Sequence, residues 1–148
     1  MLDKLIDIIG PILKKAGDKI IEVYNSDEAS VIDHKSDDSP LTLADIASNN
    51  EIVQGLEENF DFPIISEELE GVPFEKRKHF KQFWCVDPLD GTKEFINRNG
   101  EFTVNIALIE NGVPTFGGIY VPVKDTFYFG VKGEGAYKQI GDGELKEL

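Results

Sequence analysis

The chain has 148 residues, 41% of them hydrophobic and 10% aromatic, which suits a single domain over residues 1–148 with a sizeable core rather than two full domains. Lys and Arg number 15 against 28 Asp and Glu; the net charge of −13 repels nucleic-acid backbones and anionic lipids and argues against polymer binding. The single cysteine, Cys85, excludes an intrachain disulfide, and its apolar setting predicts a buried structural thiol.

The N-terminal segment has early acidic residues and no unbroken apolar run, so neither a signal peptide nor a transmembrane helix is expected, and the cytoplasm is the default location. Leu2, Leu5, Ile6, Ile9, Ile12, Leu13, Ala16, Ile20 and Val23 recur at three- and four-residue steps, which predicts one apolar helix face packed on the core. Gly10-Pro11 predicts a kink or a restart within it. Residues 34–42, "HKSDDSPLT", read as a polar loop. Thr42 then caps a second amphipathic helix through Leu43, Ile46, Ile52, Val53 and Leu56. "FPIIS" (62–66) and "QFWCV" (82–86) read as short buried strands, and "EKRKHFK" (75–81) as a solvated helix or loop face.

From Glu101 onward apolar and polar residues alternate, with Asn111-Gly112 as a hairpin turn, predicting an antiparallel meander of three or four strands. Two helices followed by a largely antiparallel sheet give an α+β class, a layered helix/sheet sandwich.

"WCVDPLDGT" (84–92) leaves a strand and sets two carboxylates three residues apart before a glycine and a threonine. If Pro88 opens a helical turn, Asp87 and Asp90 project to one side and can face a common ion. Gly91 lets the backbone come close to an anion, and Thr92 adds a hydroxyl that can hold a water. Carboxylate, carbonyl and water oxygens suit magnesium. The plainer reading is a turn, since Asp-Pro and Asp-Gly are ordinary turn dipeptides. Upstream, Glu67 and Glu68 end a strand, as a solvated edge or as ligands. Asp45, three residues after Thr42, fits a capping box or an active carboxylate. The acidic positions Asp45, Glu67 and Asp87/Asp90 all lie at element boundaries and could form one oxygen-rich pocket.

"KSDDSPLTLAD", "PIISEE" and "WCVDPLDGTKEFINRNGEFTVNIALI" resemble the magnesium-dependent, lithium-sensitive phosphomonoesterases related to inositol monophosphatase, and most of all their bacterial 3'(2'),5'-bisphosphate nucleotidase branch. The resemblance runs along the whole chain and implies the N-terminal, metal-binding portion of the inositol monophosphatase-like sugar phosphatase fold. It implies that Glu67, Asp87 and the Leu89 carbonyl hold a first metal, and that Asp87 bridges to a second, which Asp90 also binds. Two or three Mg2+ ions are then expected. It further implies that Thr92 and Asp45 position and deprotonate the attacking water, that Glu68 supports a water, and that the Gly91 and Thr92 amides hold the phosphate. Lys35 and Asp37 or Asp38 would sit over the site. His34 and His79 match no ligand position. The implied reaction is adenosine 3',5'-bisphosphate plus water giving AMP and phosphate, part of sulfur metabolism; cations would offset the repulsion of this substrate by the acidic chain.

Members of that family are longer, and their second half carries a Trp-Asp motif whose aspartate binds the second metal. Here the single tryptophan, Trp84, precedes Cys85. A chain without that half is expected to bind the second metal less tightly and to leave apolar surface for a homodimer or for the missing half. The alternatives are an inositol or other sugar-phosphate phosphatase, and a truncated, inactive homologue that binds metal or phosphate.

Overall fold

A computed structural model describes residues 2–26, 31–34, 40–69 and 71–148. Helix α1 (Leu2–Tyr24) buries Leu2, Leu5, Ile9, Ile12, Leu13, Ala16 and Ile20 along one stripe, as the spacing predicts. It does not break at Gly10-Pro11: Pro11 lies inside a continuous helix. An interior proline costs a helix roughly 3 kcal/mol. Each fully buried Leu or Ile on either side returns roughly 1.5–3 kcal/mol, so the stripe outweighs the proline.

The segment expected as a loop over 34–42 begins and ends in strand. Strand β1 (Val31–His34) pairs antiparallel with β2 (Pro40–Thr42), His34 opposite Pro40. Such a short ladder rests on backbone hydrogen bonds, which a polar composition does not reveal. Helix α2 (Leu43–Asn59) follows, with Thr42 as its N-cap. Then come β3 (Ile64–Ser66), the one-turn helix α3 (Phe74–Arg77), β4 (Gln82–Asp90) and the short helix α4 (Thr92–Ile96). Helix α3 buries no residue, in keeping with the solvated face expected there, and His79 just after it is exposed.

The meander is longer than expected. Strands β5 (Thr103–Glu110), β6 (Val113–Val121), β7 (Thr126–Val131), β8 (Gly135–Ile140) and β9 (Lys146–Glu147) extend β3 and β4 into one seven-stranded sheet in the order β3-β4-β5-β6-β7-β8-β9. Only β3 and β4 run parallel to each other; every other neighbouring pair is antiparallel. Asn111 and Gly112, both at positive φ, make the predicted tight turn between β5 and β6.

Both long helices cover the same sheet face. Val86, Ile106, Gly118 and Phe129 lie in register across four strands. A Cβ placed at Gly118 would stand 3.0 Å from Leu13 of α1. The opposite face carries a row of small residues, Cys85, Ala107, Gly117, Gly130 and Ala136. Cys85 is therefore exposed, not buried. Strand alternation turns Trp84 and Val86 inward, and a thiol between them must point out. No helix among the described residues is long and apolar enough to cross a membrane.

Candidate active site

Helix α2 presents a polar face to the interior. The apolar positions expected to pack do not lead: Leu43 and Ile46 are 36% and 38% exposed and Val53 is half-buried. Ile52 and Leu56 are buried as expected, and Ala44, Asp45, Ser48 and Asn49 complete the buried face. Hydrophobic periodicity misplaces this face because Asp45, Ser48 and Asn49, one turn apart, each find a hydrogen-bond partner inside.

Asp45 is wholly buried and is both a cap and more than a cap. Its Oδ2 accepts the Thr42 N–H at 2.9 Å and the Thr42 hydroxyl at 2.6 Å, closing a capping box. Its Oδ1 accepts the hydroxyl of Thr92 at 3.0 Å. The helix-cap and active-carboxylate readings thus use different oxygens of one group.

Thr92 is the first residue of α4 and is reached through Gly91, whose φ of +89° lies in the left-handed region. A Cβ there would also stand 3.0 Å from the Glu101 carbonyl oxygen, tighter than ordinary contact, so a side chain is disfavoured by space as well as by conformation.

The helical turn expected at Pro88 is absent. Strand β4 continues through Pro88 to Asp90, and α4 starts two residues later. Asp87 pairs with Asn105 and Asp90 with Thr103, so three steps on β4 face two on β5. This is a bulge of one extra residue, marked by the consecutive buried residues Pro88 and Leu89. On a regular strand residues three apart point to opposite faces. The extra residue returns Asp90 to the face of Asp87, opposite Asn105 and Thr103, so a bulge achieves the common orientation that the helical turn was expected to give.

Glu67 follows β3 directly. Ser66 is level with Val86 in the parallel pair, and the Glu67 N–H donates to the Val86 carbonyl at 3.2 Å, which sets Glu67 alongside Asp87. Glu67 is exposed and Glu68 half-buried. Sequence reasoning passed over two further residues here. The Ser48 hydroxyl donates to the Pro88 carbonyl at 2.6 Å, and Asn49 Oδ1 accepts the Ser66 hydroxyl at 2.6 Å. Their signal was two polar residues one turn beyond Asp45.

A model of the inositol monophosphatase family matches residues 1–146. The chain belongs to that family. It is 44% identical over 138 residues to the 3'(2'),5'-bisphosphate nucleotidase CysQ of Salmonella typhimurium, a match over 93% of this chain and 56% of that one. The CysQ of Buchnera aphidicola is also 44% identical, over 98% of this chain and 54% of its own. Among solved structures, CysQ from Bacteroides thetaiotaomicron superposes with a TM-score of 0.80 at 44% identity, covering 100% of this chain and 53% of that one. The extragenic suppressor protein suhB from Bartonella henselae superposes with a TM-score of 0.80 at 25% identity, over 92% of this chain and 52% of that one. The chain spans about half the length of the curated relatives it matches.

For this inositol monophosphatase family member, the test of a metal is the donor set. Glu67, Asp87, the Leu89 carbonyl and Asp90 lie at or just past the ends of β3 and β4 and offer oxygen alone, which fits a hard cation such as magnesium. The fit is one of donor chemistry rather than a finished cage: among the described residues, no three His, Cys, Asp or Glu side chains stand close enough together to hold a metal ion. Lys35, Asp37 and Asp38 lie outside the described residues, as does the side chain of His34.

A separate cavity of about 640 Å³ lies at the other end of the sheet, between α1 and the β7–β8 region, with Lys14, Asp125, Phe127 and Asp142 in its wall. Beside it the Tyr120 hydroxyl donates to Asp125 Oδ1 at 2.7 Å, and the Lys14 ammonium donates to the Tyr120 oxygen at 3.1 Å. None of the residues singled out for catalysis or metal binding lines this cavity.

Proposed function

We propose that the chain is the metal-binding portion, a single domain over 1–148, of a magnesium-dependent phosphomonoester hydrolase. Its substrate would be adenosine 3',5'-bisphosphate, converted with water to AMP and phosphate. The observation that carries this reading is the buried Thr92–Asp45 hydrogen bond, set beside the carboxylates that close β3 and β4. The similarity to the CysQ bisphosphate nucleotidases supports the choice of substrate.

Glu67, Asp87, the Leu89 carbonyl and Asp90 would hold two or three magnesium ions. When bound, magnesium supplies positive charge that offsets the phosphate and makes a nearby water more acidic. The Thr92 hydroxyl donates to Asp45 Oδ1, which leaves the Thr92 oxygen free to accept a proton from the attacking water. Asp45, enclosed and held by Thr42, is the acceptor at the end of that relay. As the water oxygen bonds to phosphorus, the bond from phosphorus to the 3'-oxygen breaks; that oxygen takes a proton from a solvent water to become the 3'-hydroxyl of AMP, and Asp45 returns its proton to solvent before the next turnover. The Gly91 and Thr92 amides would hold the phosphate, and Glu68 would support a water beside it. Lithium would inhibit the reaction.

A second reading is that these residues bind metal or phosphate without turnover. It is favoured by the lack of a ready three-ligand group among the described residues. The test is phosphate release by residues 1–148 from adenosine 3',5'-bisphosphate and from inositol 1-phosphate, with magnesium and with Asp90→Asn as control. Release from the nucleotide that the variant lacks supports the first reading. Faster release from inositol 1-phosphate moves the substrate to sugar phosphates. Magnesium binding with no release above the control supports the second reading.

A further inference from the structure

Ser48 and Asn49 sit one turn along α2 from Asp45, and each reaches a different acidic segment. The Pro88 carbonyl lies inside the β4 bulge, between the paired positions Asp87 and Asp90. The wholly buried Ser48 hydroxyl reaches it at 2.6 Å. Asn49, 5% exposed, accepts the hydroxyl of Ser66, itself 7% exposed. The Ser66 oxygen in turn accepts the Glu68 N–H at 3.3 Å, which ties the turn carrying Glu67 and Glu68.

We propose that Ser48 and Asn49 are the positioning residues of this site. They lock the bulge over Asp87–Asp90 and the turn over Glu67–Glu68 to the single helix that carries Asp45. The oxygen donors on three separate segments then keep one fixed relation. Both bonds are short, buried and long in sequence separation, 40 residues for Ser48–Pro88 and 17 for Asn49–Ser66. Groups that orient metal ligands without touching the metal typically change its affinity by about 10- to 100-fold.

The inference rests on the metal-binding reading above, but half of its test does not. Amide hydrogen exchange would be followed on residues 1–148 for wild type, Ser48→Ala and Asn49→Ala, together with calorimetric titration of magnesium alone. Ser48→Ala is expected to speed exchange at 87–92 and leave 66–69 as in wild type; Asn49→Ala is expected to do the reverse. Each should weaken magnesium binding by about 10-fold or more. Ser66→Ala removes the Asn49 bond from the strand side and must reproduce the Asn49→Ala pattern; it carries that arm alone if Asn49→Ala does not fold. A uniform rise in exchange across β5, β6 and β7 would overturn the proposal, as would wild-type magnesium affinity in variants with the crossed pattern. If the wild-type chain itself binds no magnesium, the proposed function falls, and the part of the inference that concerns the metal falls with it. The crossed exchange pattern still decides whether the two residues hold their segments.

Discussion

Thr92 and Asp45, 47 residues apart in sequence, meet through a 3.0 Å hydrogen bond between the Thr92 hydroxyl and Asp45 Oδ1. Both side chains are buried, and Asp45 Oδ2 is already engaged by Thr42. One carboxylate thereby joins the start of α2 to the start of α4, the two elements whose N-terminal residues are proposed to carry the proton transfer.

Replacing Thr92 by valine keeps the shape and removes the hydroxyl. Unfolding in urea should show a loss of about 1–3 kcal/mol, because a buried carboxylate oxygen loses a donor. Phosphate release should fall by about 10²-fold, and Thr92→Ser should restore most of it. Equal rates for the valine and wild-type chains would remove Thr92 from the reaction.

Gly91→Ala should be harmful out of proportion to its one carbon. The left-handed backbone costs an L-residue about 1–2 kcal/mol. The new Cβ would also press on the Glu101 carbonyl at 3.0 Å. A urea midpoint unchanged from wild type would show that Gly91 can flip to negative φ without disturbing α4.

Alkaline stability should report the Lys14–Tyr120–Asp125 cluster. Burial, and next the bond to Asp125, push the Tyr120 phenol from 10.0 up to about 12. Lys14 is likewise held above its usual range, chiefly by its bond to Tyr120. A raised folded-state pKa means a contribution that is whole below the unfolded value and is lost as pH climbs through the folded one. Stability should therefore be level up to about pH 10 and fall toward pH 12. Asp125 is held below its usual value, first by the Tyr120 hydroxyl, so its contribution is lost only in acid. Tyr120→Phe should start less stable and fall less steeply between pH 10 and 12. A decline as steep as that of wild type would mean that other groups govern it.

Cys85 should react with a thiol reagent in the folded chain about as fast as in urea, since it is the single cysteine and lies on the exposed sheet face. Protection that persists until unfolding would mean that something covers the row Cys85, Ala107, Gly117, Gly130 and Ala136 in solution.

The order of layers was legible because α1 and the strands from β5 onward carry strong periods, 3.6 and 2, and Asn111-Gly112 marks its turn by conformation. The cap at Thr42 was legible for a similar reason, since one local motif determines it. The buried face of α2 was not, because polar residues pack inward only when partners from β3, β4 and α4 arrive, and those partners are remote in sequence. The bulge at Pro88-Leu89 was hidden for the same reason: it is a property of β4 against β5, and the local cue of proline favoured a helical start. The exposure of Cys85 follows from strand parity once Trp84 is known to face inward; an apolar run alone does not give it.

The most direct test is turnover of adenosine 3',5'-bisphosphate by Asp45→Asn beside wild type in magnesium. The asparagine oxygen can still accept from Thr92 or cap the helix, but it cannot take a proton. The expected result is a fall in kcat of about 10²-fold or more, with magnesium affinity close to that of wild type. Turnover by Asp45→Asn at the wild-type rate would contradict the role given to the Asp45–Thr92 pair.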